Sequence, residues 1–91
     1  MRSFRDRDTE DLFHLRCTRR WINIARVALR RLRLLNRAST LTDLRTPPGN
    51  YLKVLKGSRA GQYSIRVNDQ YRIRFRWENN DAFDVELTDY H

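Results

Sequence analysis

The residues of this chain that could do chemistry are mostly cations. Arg66, Arg72, Arg74 and Arg76 recur at even spacing between apolar residues, and Asp89-Tyr90-His91 follow within one further strand. Period-two alternation predicts antiparallel strands with Tyr63, Ile65, Val67, Tyr71, Ile73, Phe75, Trp77, Phe83, Val85 and Leu87 on one face. The other face then holds Ser64, the four arginines, Asp84, Glu86 and Thr88, and continued alternation adds Tyr90. Pairing Trp77 with Phe83 sets Arg76 opposite Asp84, Arg74 opposite Glu86 and Arg72 opposite Thr88. Pairing Val67 with Tyr71 sets Arg66 opposite Arg72 and Ser64 opposite Arg74. Two of these are ordinary solvated ion pairs, contributing roughly a few tenths of a kcal/mol each. Arg66 against Arg72 is different, because opposed cations are destabilising unless an anion bridges them, and Thr88 brings no negative charge. That pair, near Tyr90 and His91, is the best anion site in the sequence.

Arginine, lysine, tyrosine and a histidine supply neither a strong nucleophile nor a metal cage. They suit cleavage of RNA by its own 2′-hydroxyl. That reaction needs a proton acceptor at O2′, cations for the crowded phosphorane and an acid for the 5′-oxygen. No cofactor is required. Cys17 is the only cysteine, and no Cys/His spacing matches a zinc site.

Composition points the same way. Ninety-one residues make one domain, expected to run over 1–91. The net charge is +8, and 17 of the 19 cations are arginine. Residues 1–45 carry a net +7 and residues 46–91 a net +1, so the attraction for a polyanion is concentrated in the first half. With 40% hydrophobic residues the chain is too apolar for a disordered basic tail. Its short apolar runs offer no membrane span, and MRSFRDRD has no signal-peptide core. A small soluble domain of the cytoplasm is expected.

The elements that must position these residues follow from the apolar spacing. Asp6, Asp8, Thr9, Glu10 and Asp11 after Phe4 read as a capped helix start, giving a first helix over about 8–16. Ile24, Val27, Ala28, Arg31, Leu32 and Leu35 form one helical stripe that Trp21 begins, giving a second helix over about 19–36 with Asn36 as its stop. Arg26, Arg30, Arg33 and Arg37 make a cationic ridge on its other face. Thr40 to Leu44 suit a helical turn, and Pro47-Pro48-Gly49-Asn50 reorients the chain into a sheet over about 51–90 that begins with a short segment at Tyr51–Leu55. The fold class is α+β: two N-terminal helices packed on one face of a small, mainly antiparallel sheet.

Several segments together resemble the HigB-type "killer" toxins of the RelE/ParE superfamily. They are Arg2-Ser3-Phe4-Arg5-Asp6, Pro47-Pro48-Gly49-Asn50, Leu55-Lys56-Gly57, the run Gly61 to Ile73, Phe75-Arg76-Trp77 and Asp89-Tyr90-His91. The resemblance implies a type II toxin that cuts messenger RNA in the A site of the 70S ribosome. It also implies a helix-turn-helix HigA-like antitoxin, with which the toxin forms a heterotetramer, and a short N-terminal strand joining the sheet. By motif, Lys56 and Arg72 become candidate phosphate or transition-state contacts, while Asp89, Tyr90 and His91 orient groups and exchange protons. Lys53, Arg59, Arg66 and Arg74, with Arg26, Arg30 and Arg33 of the ridge, are the candidate RNA and phosphate contacts.

One position departs from the pattern. Where some relatives carry histidine three residues before the Leu-Lys-Gly lysine, this chain has Lys53, which binds phosphate but is a poor proton acceptor near neutral pH. Two other readings therefore stand beside the nuclease: a non-catalytic basic module that blocks the ribosome, and a ParE-like gyrase inhibitor.

Overall fold

The computed structural model describes residues 1–16, 19–45, 48–55 and 61–89. Helices α1 (Arg7–Phe13), α2 (Ala25–Arg37) and α3 (Leu41–Arg45) precede a 3-10 turn at Pro48–Asn50. Strands β1 (Lys53–Val54), β2 (Gln62–Arg66), β3 (Tyr71–Glu78) and β4 (Asp81–Asp89) follow, antiparallel and in sequence order across one sheet. The expected α+β class is the observed one. Among the described residues no helix is long and apolar enough to cross a membrane.

The core lies between one sheet face and the helices. Ile65, Ile73, Phe75, Val85 and Leu87 meet Leu12, Trp21, Ala28, Leu32, Leu35 and Leu44, all buried. Both helices are shorter than the apolar spacing predicts. Helix α1 ends at Phe13, and Leu15 takes a left-handed conformation (φ 61°). Its first turn is acidic as expected, but Asp6 caps no amide. The carboxylates of Asp6 and Asp8 instead reach Arg20 at 3.7 and 3.1 Å. Arg20 in turn lies 4.4 Å over the ring of Trp21, which packs edge-on against Tyr71 at 5.6 Å. These contacts hold residues 19–24 as turns and delay α2 to Ala25, because they outweigh helix propensities of roughly half a kcal/mol per residue.

Arg31, the polar break in the apolar stripe of α2, has a specific partner. Its Nη1 donates to Asn50 Oδ1 at 2.7 Å, and Asn50 Nδ2 donates to the Leu44 carbonyl at 3.0 Å. Asn50 is fully buried, so this chain of bonds ties α2, α3 and the entry to the sheet together. Asn50→Ala should lose about 1–3 kcal/mol of unfolding free energy, since it strands a guanidinium and a carbonyl; urea titration of the two proteins measures it.

In the sheet, the β2–β3 register is the expected one, with Ser64 opposite Arg74 and Arg66 opposite Arg72. Between β3 and β4 it holds from Tyr71–Asp89 to Arg74–Glu86, then slips: Arg76 pairs with Phe83 and Trp77 with Ala82. One extra residue sits in β4, and Asp84 adopts φ 53°. A single-residue slip reverses which side chains face inward. Ala82 therefore fills the core, while Phe83, expected there, turns outward beneath the Arg76 guanidinium at 4.8 Å.

The bulge also receives the N-terminal segment. Asp84 N–H donates to Ser3 Oγ at 2.9 Å, Val85 N–H to the Ser3 carbonyl at 3.0 Å, and Arg5 N–H to the Val85 carbonyl at 2.9 Å. Phe4 thus makes an isolated parallel bridge to Val85, where the resemblance implies a short N-terminal strand. Further along the same edge, Leu87 N–H donates to the buried Thr9 Oγ1 at 3.0 Å, so much of the outer edge of β4 is covered.

The amino group of Met1 lies 2.9 Å from Asp81 Oδ1, and Arg2 Nε lies 2.8 Å from Oδ2. The hydrogen bond from that amino group, more than any other contact, holds the Asp81 carboxyl below its ordinary range, against the opposing effect of burial. A carboxyl depressed on folding stabilises the native state above the unfolded pKa of about 3.9 and loses that contribution as pH falls below it. Asp81→Asn should therefore narrow the gap in urea midpoint between pH 7 and pH 3.

Candidate nucleic-acid interface

Because β1 to β4 pair in order, side chains on the face away from the helices line up in rows across the sheet. Arg66, Arg72 and Thr88 form one row. Lys53, Ser64, Arg74 and Glu86 form the next, and Gln62, Arg76 and Phe83 the third. Lys53, Arg66, Arg72 and Arg74 are thereby brought onto one surface.

Arg72 is the fixed point of this surface. It is only 8% exposed, yet it belongs to the face turned away from α1 and α2. Its Nε donates to Ser64 Oγ at 2.8 Å, and its Nη2 donates to the carbonyls of Tyr51 at 2.7 Å and Ser64 at 3.3 Å. These three oxygens orient the guanidinium. Tyr51 offers its carbonyl from a left-handed backbone (φ 44°) just before β1. Its ring lies 5.4 Å from Arg66.

The expected clash between Arg66 and Arg72 is relieved locally. Arg66 turns toward the carboxylate of Asp69 in the β2–β3 turn, while Arg72 is drawn toward Tyr51. Arg74 Nη2 meets Glu86 Oε1 at 2.5 Å and Arg76 Nε meets Asp84 Oδ2 at 3.4 Å, the two expected cross-strand ion pairs. Lys53 is exposed at the edge of the sheet.

Asp89 lies opposite Tyr71, as the expected register has it, and Gln70 Nε2 donates to its carboxylate at 3.1 Å. Arg26, Arg30 and Arg33 are exposed on α2, in the helical layer behind the sheet, and so do not share this surface. Lys56, Arg59, Tyr90 and His91 lie outside the described residues.

A concavity of about 220 Å³ opens beside Arg74, lined by Arg5, Gln62, Arg74, Asp84 and Glu86. Arg5 Nε lies 3.7 Å from Glu86 Oε2. Of these five residues only Arg74 is an RNA contact expected from the sequence. Arg5 arrives through the N-terminal segment, which no local pattern ties to the sheet, while alternation already places Asp84 and Glu86 on the polar face. Gln62 had a local signal, since it directly precedes the alternating run at Tyr63.

The surface therefore offers a positioned, buried cation with further cations around it, which is an arrangement for holding phosphate. Comparisons with known proteins identify the family. Residues 2–91 match the family model described as the RelE-like toxin of the type II toxin-antitoxin system HigB. Toxin HigB-1 of Vibrio cholerae serotype O1 is 42% identical over 65 residues, covering 71% of this chain and 68% of that protein. Endoribonuclease HigB of Proteus vulgaris is 45% identical over 40 residues, 44% of each chain. The chain spans about two thirds of the length of the first relatives it matches. A YoeB/ParE toxin from Agrobacterium tumefaciens shares the fold, with a TM-score of 0.52 over 97% of this chain and 99% of that one at 15% identity. With a family model spanning all but its first residue, this chain belongs to the HigB-like, RelE-type toxins of type II toxin–antitoxin systems.

Proposed function

We infer that this toxin is a metal-independent endoribonuclease that acts in the cytoplasm on messenger RNA in the A site of the 70S ribosome and so inhibits translation. The observation that carries the reading is Arg72: a guanidinium buried in the sheet, oriented by Ser64 and Tyr51, on the face turned away from α1 and α2. The name of the Proteus vulgaris relative supports the reaction class.

In this reaction the ribose O2′ bonds to phosphorus as the bond from phosphorus to O5′ breaks. A 2′,3′-cyclic phosphate and a 5′-hydroxyl result. The 2′ proton goes to a base and the 5′-oxygen receives a proton from an acid. Arg72 and Lys56 stabilise the extra negative charge on the phosphorane. Tyr90 and His91 exchange the protons, Asp89 orients them, and Lys53, Arg59, Arg66 and Arg74 hold neighbouring phosphates. A HigA-like antitoxin, in a heterotetramer with the toxin, restrains the activity.

Lys53 favours one alternative, a non-catalytic block of the ribosome, because lysine at this place binds phosphate without readily accepting a proton. Primer extension on messenger RNA after induction separates the two readings. Wild type should give discrete cleavage sites that a variant combining Arg72→Ala with deletion of His91 lacks. Arrested translation with uncut messenger RNA would establish the block instead.

A further inference from the structure

The hollow beside Arg74 has a lining that phosphate binding does not explain. It is electrically balanced: Arg5 and Arg74 are offset by Asp84 and Glu86, and Gln62 is the neutral member. Glu86 lies 2.5 Å from Arg74 Nη2 and 3.7 Å from Arg5 Nε. Asp84 Oδ2 accepts from Arg76 Nε at 3.4 Å. A phosphate gains no net attraction in such a lining and meets two carboxylates. An uncharged group that carries both donors and acceptors finds a complement for each. The hollow begins at Arg74, one side-chain repeat along β3 from Arg72, roughly 7 Å. A base joined to a phosphate held at Arg72 is therefore within reach of it.

Two of the lining side chains still have bonding capacity. Among the described residues the half-buried Gln62 amide makes no side-chain hydrogen bond, and neither does Asp84 Oδ1. Asp84 is held by the bulge, with its backbone left-handed (φ 53°) and its N–H on Ser3 Oγ at 2.9 Å. The same bulge turns Phe83 onto this face, 4.8 Å beneath the Arg76 guanidinium, in the row that also holds Gln62. Flat rings and flat guanidiniums are the surfaces on which unpaired RNA bases stack. Polar edge readers and a stacking pair thus adjoin each other at the end of the sheet that lies beyond Arg72.

We propose that this hollow receives a guanine base of the RNA, from a nucleotide flanking the cleaved linkage, with Asp84 accepting from N1–H and N2–H and the Gln62 amide donating to O6. Among the bases of RNA, guanine alone presents two adjacent donors beside an acceptor. Two adjacent donors match the two oxygens of a carboxylate, which keeps lone pairs to spare after bonding Arg76. Adenine and cytosine put a bare ring nitrogen where the second donor should be. Uracil offers one donor between two carbonyls, which face the carboxylate with like charge. Asp84 and Gln62 are then specificity-determining residues, apart from the groups that move protons. The proposal rests on the nuclease reading of the same face.

Cleavage of reporter messages that differ in one base beside the cut, stepped through the flanking positions, tests this on programmed ribosomes. At one fixed position wild type should cut the guanine message at least roughly tenfold faster than the adenine message. Asp84→Asn, which turns one acceptor oxygen into a donor, should remove that ratio by slowing the guanine message alone. Asparagine tolerates the left-handed backbone, and an unchanged rate on the adenine message shows that the variant is folded. A second measurement needs no variant. Uncleavable 2′-O-methyl hexanucleotides titrated into the wild-type chain should bind about tenfold more tightly with guanine than with inosine, which lacks the N2 amine. Equal or reversed preference in wild type, or an unchanged ratio in Asp84→Asn, overturns the guanine site. Wild type that cuts every message alike does so while leaving the nuclease reading intact. Wild type that cuts none, yet keeps the guanine preference in binding, overturns the nuclease reading alone.

Discussion

Arg72→Ala should lower the rate of messenger RNA cleavage by about two to three orders of magnitude, as removal of one transition-state donor does in other sites. The guanidinium is pinned by Ser64 Oγ at 2.8 Å and the Tyr51 carbonyl at 2.7 Å, so little reorganisation is needed when charge builds on the phosphorane. Arg72→Lys keeps the charge and loses the planar fork, and should recover only a minor part of the rate. Ser64→Ala is the informative companion. Ser64 is a buried positioning residue whose loss leaves the Arg72 charge in place with one fewer anchor. The turnover rate should fall about tenfold with KM little changed. Single-turnover cleavage on programmed ribosomes measures all three. Thermal unfolding of each variant separates lost chemistry from lost structure. Wild-type cleavage by Arg72→Ala would remove this residue from the mechanism.

Trp21→Ala should cost about 3–5 kcal/mol of stability, the range for deleting a buried indole, and so consume much of a small domain's margin. Trp21 is 2% exposed although it lies in a turn rather than a helix. It meets Tyr71 of β3 edge-on at 5.6 Å and lies beneath Arg20, which the acids of α1 hold. One side chain thereby locks α1, the interhelical turn and the sheet. Trp21→Phe, which keeps most of the volume and the edge contact, should lose much less. Urea denaturation followed by far-ultraviolet circular dichroism gives both values. A loss below 1 kcal/mol on Trp21→Ala, on the order of a surface substitution, would show that the turn repacks without it.

The amino-acid sequence by itself determined the layers, the strand order and most of the strand register. The alternation from Tyr63 to Leu87 and the stripe from Ile24 to Leu35 each admit one buried face, and an error of one residue would expose all of it. Arg66 opposite Arg72 and Arg74 opposite Glu86 followed from that constraint alone. Tertiary structure decided where periodicity breaks and where distant segments meet. The bulge at Asp84 turned Phe83 outward because the N-terminal segment supplies partners for the bulged amides. Helix α2 began late because Trp21 and Arg20 found partners in β3 and α1. Arg5 reached the hollow on the sheet from about 80 positions away, and Arg72 acquired its anchors at Ser64 and Tyr51. A local pattern records which face is buried. It carries no record of which distant oxygen a buried donor will find, because that bond exists only after the chain has closed.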